Sequence, residues 1–249
     1  HAQGVQEVVL TGVHVGGYGS DINSNLYQLI ETILAETDIP RLRLASVEPW
    51  DLPDNFFSLF SNKRFMPHLH LPLQSGSNSV LKRMARRCKQ NDFRNLVQHA
   101  HNIIDDFNLT TDIIVGFPGE TEEEWRESIE FIKETGFSHI HIFTYSIREG
   151  TKAASLEKHI DPKTKKQRSQ ELHMLAQSMR SDFLNKQLGK EFNVLWETQT
   201  ESGNWTGYTE NFIRVGLNKT QESVSENQIS KVRLHSIDSD SNNCNVVLI

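Results

Sequence analysis

The sequence predicts an α/β protein in two parts: an incomplete parallel (β/α) barrel over residues 1–187, then a small antiparallel β-barrel over 188–249. Three observations carry that prediction. Short β-rich runs alternate with helical stretches as far as residue 187, the rhythm of a parallel sheet with right-handed crossovers. Most of those runs end in polar or glycine residues, where barrels keep their sites, and this favours a barrel over a doubly wound sheet. After residue 187 the apolar period changes to two, with turn residues between the runs.

The elements follow in chain order. "EVVLTG" (7–12) reads as a strand ending in glycine, and "NLYQLIETILAE" (25–36) as a helix with Leu26, Leu29, Ile30 and Ile33 on one face. "RLRLAS" (41–46) is the next strand and "PDNFFSLF" (53–60) a short helix. "HLHLPL" (68–73) is a strand, followed by helices over 79–87 and 92–105. "TTDIIVGF" (110–117) is a strand, and "TEEEWRESIEFIKETG" (121–136) a helix with Thr121 and Glu124 as a capping box and Gly136 as its stop. "HIHIFTY" (139–145) is the last strand of the first part. A long helix over about 169–187 sets Leu172, Leu175, Ala176, Met179 and Phe183 along one face.

Composition narrows the function classes. Hydrophobic residues make up 37% of the 249, enough for a core, and no apolar run is long enough to span a bilayer. Cys88 and Cys244 are too few for a disulfide framework, so a reducing cytoplasmic setting is expected. The net charge of −6 argues mildly against a nucleic-acid partner. No GxGxxG or GxxxxGK[ST] cradle follows any strand, which weakens a dinucleotide or nucleoside-triphosphate reading.

The strand ends hold the candidate site. In a parallel sheet they gather on one face and contribute Thr11-Gly12, Ser46 with Glu48, Pro72 through Ser77, Asp112 through Gly116, and Thr144 through Ser146. Amides, hydroxyls, glycines and one or two carboxylates suit a polar ligand with ribose hydroxyls and an amino-acid end. In "TTDIIVGFPGETEEEW" (110–125), Gly116 and Gly119 give the turn its backbone freedom and Pro118 fixes φ between them. Two readings stand at this point: a well-capped βα turn, or a bare surface against which a ligand lies.

"VVLTGVHVGGYG", "HLHLPLQSGSNSVLKRMARR", "TTDIIVGFPGETEEEW" and "FTYSIREGTKAA", in that order, resemble the radical S-adenosylmethionine methylthiotransferases. The resemblance runs through essentially the whole chain, and the tail segment "GYTENFIRVGL" is similar to the RNA-binding TRAM domain that closes these enzymes. "LTGVHVGGYG" and "HLHLPLQSG" look most like the branch acting on N6-threonylcarbamoyladenosine in tRNA; the isopentenyladenosine and ribosomal-protein branches are less alike. The resemblance implies an S-adenosylmethionine site: Thr11 and Gly12 at the methionine amino group, Gln74 and Ser75 near ribose and carboxylate, and Arg83 as a charged partner of the carboxylate. Gly116 would flank the adenine, with Phe143 and Tyr145 beside it, and Ser46, Glu48 and Asp112 are further pocket candidates. It also implies two 4Fe-4S clusters, a reducing partner for them, a tRNA anticodon stem-loop as substrate, no membrane and a monomeric protein. The Cys-x-x-x-Cys-x-x-Cys loop of such enzymes is not in this sequence, so the expectation is a fragment, inactive alone, with no catalytic residue or metal ligand of its own.

For RNA, the candidate contacts are Arg148, Lys165, Lys166, Trp205, Tyr208 and Arg214. Basic density lies in "KRMARRCK" (82–89) and "KTKKQR" (163–168), whereas the tail has more acids than bases, the latter being Lys190, Arg214, Lys219, Lys231 and Arg233. Aromatic residues there either stack on bases or fill a small barrel's core. A rival reading is a metal-dependent hydrolase: His68-Leu69-His70 and His139-Ile140-His141 each set two imidazoles on one face of a strand, with Asp112 on a strand between. Their mid-strand position favours histidines that only fill or flank the barrel.

Overall fold

The computed structural model describes residues 1–218, 224–238 and 243–249. Lys219, counted above among the basic residues of the tail, lies outside them.

Five parallel strands form one curved, open wall: β1 (Glu7–Leu10), β2 (Arg41–Leu44), β3 (His68–His70), β4 (Asn108–Val115) and β5 (His139–Thr144). β1 pairs with β2, and β3–β4–β5 form a second ladder. The two ladders are joined by bridges from Leu42 to Phe65 and from Ser46 to His70. Strand β4 starts two residues earlier than its apolar run suggested, because Asn108 donates from its side chain to the Asn211 carbonyl and pairs with His68.

Alternation along each strand decides the two faces. Leu42, Leu44, Leu69, Leu109, Ile113, Val115 and Ile140 point to the helices and form the main core with Phe56, Phe93, Trp125 and Ile132. The opposite face carries Arg41, Arg43, His68, His70, Thr110, Asp112, His139, His141 and Phe143, and it looks into the open barrel. Four helices back the core: α1 (Leu26–Glu36), α2 (Asn78–Arg83), α3 (Gln90–Ile103) and α4 (Glu122–Thr135). Asn25 caps α1 by accepting from the Gln28 amide. The capping box of α4 forms as the sequence predicts, and Gly136 ends the helix at φ 75°. The stretch 56–61 is a 3-10 helix.

Helix α5 (Pro162–Gln187) is longer than its apolar face suggested. Asp161 accepts from the Thr164 amide and Pro162 takes the first helical position, so the basic stretch is itself helical. Leu172 of this helix is buried in the main core and Leu184 in a second one. That second core, around Trp196, Val215, Val232 and Val246, fills a closed five-stranded barrel of β6 (Glu191–Gln199), β7 (Trp205–Tyr208), β8 (Arg214–Leu217), β9 (Ile229–Ile237) and β10 (Cys244–Leu248), ordered β10-β8-β7-β6-β9.

The small barrel is bolted to the β2 edge of the wall. Arg41 donates to the Thr209 carbonyl at 2.8 Å and to Tyr208 at 3.2 Å, and Arg43 to Glu210 at 3.1 Å. Glu7 holds both guanidiniums at 2.7 Å. Phe212, at φ 63°, stacks between His68 and Tyr208 at 4.6 and 4.7 Å, with the Arg43 guanidinium over its ring. A non-glycine residue in that left-handed conformation is held there by its surroundings.

Candidate functional site

The inward face and the small barrel enclose a cavity of about 860 Å³. Ser46, His70, Thr110, Asp112, His139, His141 and Phe143 come from the wall, Arg180 from α5, and Tyr208, Phe212 and Arg214 from the small barrel. Residues that the sequence assigned to a cofactor (Ser46, Asp112, Phe143) therefore share one cavity with residues assigned to RNA (Tyr208, Arg214).

Three ligand-type side chains converge on its wall. The donor atoms of His70, Asp112 and His141 lie within 4.8 Å of one another. Strand register brings them together: Asp112 is paired with His141, and His70 with Thr110, two residues before Asp112 on β4. His70 Nε2 lies 3.2 Å from Asp112 Oδ1, while its Nδ1 lies 2.9 Å from the Thr110 hydroxyl. His141 touches the rings of His70 and His139. The concavity around His139, then the neighbouring His141 and Arg180, hold its pKa down at about 4. The sequence reading weighed these histidines, with Asp112, as ligands of a rival metal-dependent hydrolase and favoured a filling or flanking role. Their H-x-H alternation was visible, but which strand faces which could not be read from it.

At the strand ends, Gln74, Gly116 and Tyr145 are brought side by side by backbone bonds, Ile114 N to Gln74 O and Tyr145 N to Val115 O. Gln74 adopts φ 71° to make this turn. The bare face of Gly116, at φ 74°, is covered by Lys165, whose Cγ would stand 2.6 Å from an added Cβ. Lys165 also donates to the Tyr145 carbonyl at 3.1 Å and lies over its ring. The residue expected to grip RNA is thus half-buried against the turn, and Lys166 beside it is exposed. The Tyr145 hydroxyl is buried without a hydrogen-bond partner among the described residues.

Several expected cofactor contacts are committed elsewhere. Arg83 forms a two-pronged pair with Glu124 at 2.8 and 2.6 Å and also reaches the Gly119 carbonyl. It braces the turn to α4. Glu48 is paired in the same way with Arg86, whose guanidinium lies over Trp50. Ser75 is buried and its hydroxyl meets that of Ser128 at 3.2 Å, facing helix α4 and not the cavity. Thr11 and Gly12 line a separate cleft of about 610 Å³ at the end of β1. Trp205 packs against the second core, and Arg148 is exposed.

The turn itself is fixed from behind. Glu120, buried, accepts from the Gly116 amide at 3.0 Å and pairs with buried Arg168 at 2.8 Å. Burial raises the Glu120 pKa, and the Arg168 charge offsets that only in part.

The two cysteines do not suit an iron–sulfur cluster. Cys88 follows α2 and Cys244 is buried in the second core, and burial drives their thiols up to about 12 and about 11. The two thiols pack against different cores, so they cannot bind one cluster together.

A parallel wall of this kind, with its polar strand ends and helical backing, places the chain in a class, and comparison with known proteins agrees. Residues 1–132, more than half of the chain, match the radical SAM superfamily, and the chain belongs to that superfamily. The fold resembles coproporphyrinogen III oxidase (HemN) from Escherichia coli, described as a radical SAM enzyme, with a TM-score of 0.55 over 70% of this chain and 40% of that one at 16% identity. In sequence it is 39% identical, over 85% of its length, to 49% of the threonylcarbamoyladenosine tRNA methylthiotransferase MtaB of Thermotoga maritima. It is 34% identical, over 90% of its length, to 45% of the tRNA-2-methylthio-N(6)-dimethylallyladenosine synthase of Staphylococcus epidermidis. The chain thus spans about half the length of the curated relatives it matches.

Proposed function

We propose that this chain is part of a tRNA methylthiotransferase that places a methylthio group on C2 of N6-threonylcarbamoyladenosine beside the anticodon. The observation that carries this reading is the 39% identity to a threonylcarbamoyladenosine tRNA methylthiotransferase, against 34% to a dimethylallyladenosine enzyme. In this reading residues 1–187 are the barrel that takes S-adenosylmethionine, and residues 188–249 are a TRAM-like domain that faces the anticodon stem-loop. Any cluster would draw its thiolates, and its electrons through a reducing partner, from outside the two cysteines of this chain. The protein acts as a monomer in the cytoplasm. No helix among the described residues is long and apolar enough to cross a membrane.

Gln74 and Tyr145 at the strand ends are the residues of this chain best placed to hold S-adenosylmethionine, with Phe143, Asp112 and Ser46 on the cavity wall. The buried Tyr145 hydroxyl, without a partner among the described residues, and the left-handed Gln74 support that placement. The cofactor supplies the adenosyl group of radical chemistry. The part of this chain is to bind and orient it, with Lys165 moving off Gly116 to admit the ring. Arg214, Tyr208 and exposed Lys166 and Arg148 form the RNA-facing set.

The test is nucleoside analysis of total tRNA from cells lacking the gene. The expected result is loss of the 2-methylthio derivative of threonylcarbamoyladenosine, with its unmethylthiolated precursor accumulating. Loss of the isopentenyladenosine derivative instead would move the chain to the other branch, and no change in either nucleoside would overturn the proposal.

A further inference from the structure

The geometry points to a divalent transition-metal site at His70, Asp112 and His141, distinct from any thiolate-bound cluster and independent of the tRNA reading. Two imidazoles and one carboxylate make a borderline donor set suited to zinc or ferrous iron. The three side chains stand on three adjacent strands, and strand register sets their common face. Ligand atoms around one tetrahedral ion stand roughly 3.4 Å apart, from metal–ligand distances of about 2.1 Å. The His70–Asp112 pair, at 3.2 Å, already meets that spacing, and the whole set lies within 4.8 Å.

Two further features separate this cluster from a chance ion pair. The Thr110 hydroxyl holds His70 Nδ1 at 2.9 Å, leaving Nε2 to face Asp112 and the proposed ion. An outer partner that fixes ring orientation in this way is the common companion of a metal-bound histidine. His141, the third ligand, has ring contacts with His70 and His139 but no hydrogen bond among the described residues, so its donor nitrogens are uncommitted. The site opens onto the 860 Å³ cavity beside Phe143 and Arg214. An ion held by three protein ligands on such a wall keeps at least one position for water or a ligand in that cavity.

The experiment is a cobalt(II) titration of the full 249-residue chain at neutral pH, stripped of metal beforehand. Visible d–d absorption would be followed, then zinc added in competition. One cobalt ion per chain, displaced by zinc, is expected. His70→Ala, Asp112→Asn and His141→Ala should each weaken binding beyond the about 10- to 100-fold expected for Thr110→Val, the loss of an outer-shell partner. His139→Ala and His101→Ala should bind as the unaltered chain does. His141 is exposed, so His141→Ala keeps the fold, and circular dichroism checks this. Absence of saturable cobalt absorption at millimolar metal overturns the proposal. So does binding that survives both His141→Ala and Asp112→Asn, or that follows His139 in place of His141.

Discussion

Arg168→Met should unseat the turn that carries Gly116. Arg168 gives its Nη1 to the Glu120 carbonyl at 3.1 Å and to the Glu120 carboxylate at 2.8 Å, and its Nη2 to Glu122 at 3.3 Å. Both members of the pair are buried, with side chains 7% and 1% exposed. Methionine keeps most of the stem against Trp125 and removes the charge. The carboxylate of Glu120 is then buried with only the Gly116 amide for company. Removing one partner of a buried pair costs about 3–5 kcal/mol, most of it the desolvated charge left behind. Arg168→Met/Glu120→Gln removes that charge as well, so the double variant should regain about half of the loss or more, a coupling of roughly 2 kcal/mol.

The sign of the pH dependence follows from Glu120. Its folded pKa already lies above the ordinary value of 4.5, and loss of Arg168 takes away what holds it down. A carboxyl raised in the folded state favours folding while protonated, and that gain is lost as pH rises from the unfolded pKa through the folded one. The Arg168→Met penalty should therefore be smaller near pH 5 than near pH 8, at roughly 1.4 kcal/mol for each unit of additional pKa rise. Urea unfolding at both pH values, for the four members of the cycle, measures it. A penalty below about 1 kcal/mol, or one independent of pH, would refute the argument that an unpaired buried charge governs this turn.

Two other perturbations probe the frame. Glu7→Gln leaves Arg41 and Arg43 buried without their counter-charge and should cost about 3 kcal/mol or more. Burial alone would raise the Glu7 pKa, but Arg43 and then Arg41 outweigh it and hold it below 4.5. The unaltered chain should thus lose this stabilisation as pH falls through that lowered pKa, while the variant does not, as acid titration followed by circular dichroism would read. Gly76→Ala would set a methyl 2.6 Å from the Ser128 carbonyl oxygen and 2.7 Å from its Cα, backbone that cannot swing aside. Overpacking of this kind costs about 1–3 kcal/mol, visible as a lowered Tm, and an unchanged Tm would show that α4 yields freely.

Much of the frame could be read from local pattern, because local pattern is what the backbone obeys. Alternation over "RLRLAS" and "TTDIIVGF" separates a helix-facing row from a cavity-facing row, and Thr121, Glu124 and Gly136 mark the ends of α4 in advance. The first two turns of α5 were missed because Asp161-Pro162 opens a helix whose start is basic, largely exposed and without an apolar face. The motifs carried the superfamily. They did not say which side chain of each motif is free: Ser75 and Arg83 lie inside the recognisable stretches and Glu48 and Lys165 outside them, yet each is bound to a partner from a distant segment.

The sequence by itself determined the alternating barrel, its turns and caps, the change to a second barrel and the superfamily, since these depend on residues within a few positions of one another. Only the tertiary structure decided what the site contains. The pairing of Asp112 with His141, the stem of Lys165 over Gly116, and the closing of the cavity by Tyr208, Phe212 and Arg214 each depend on strand register or on contacts across more than 20 residues of chain. Register and long-range docking are settled by the total burial of apolar faces, and no local pattern encodes that sum.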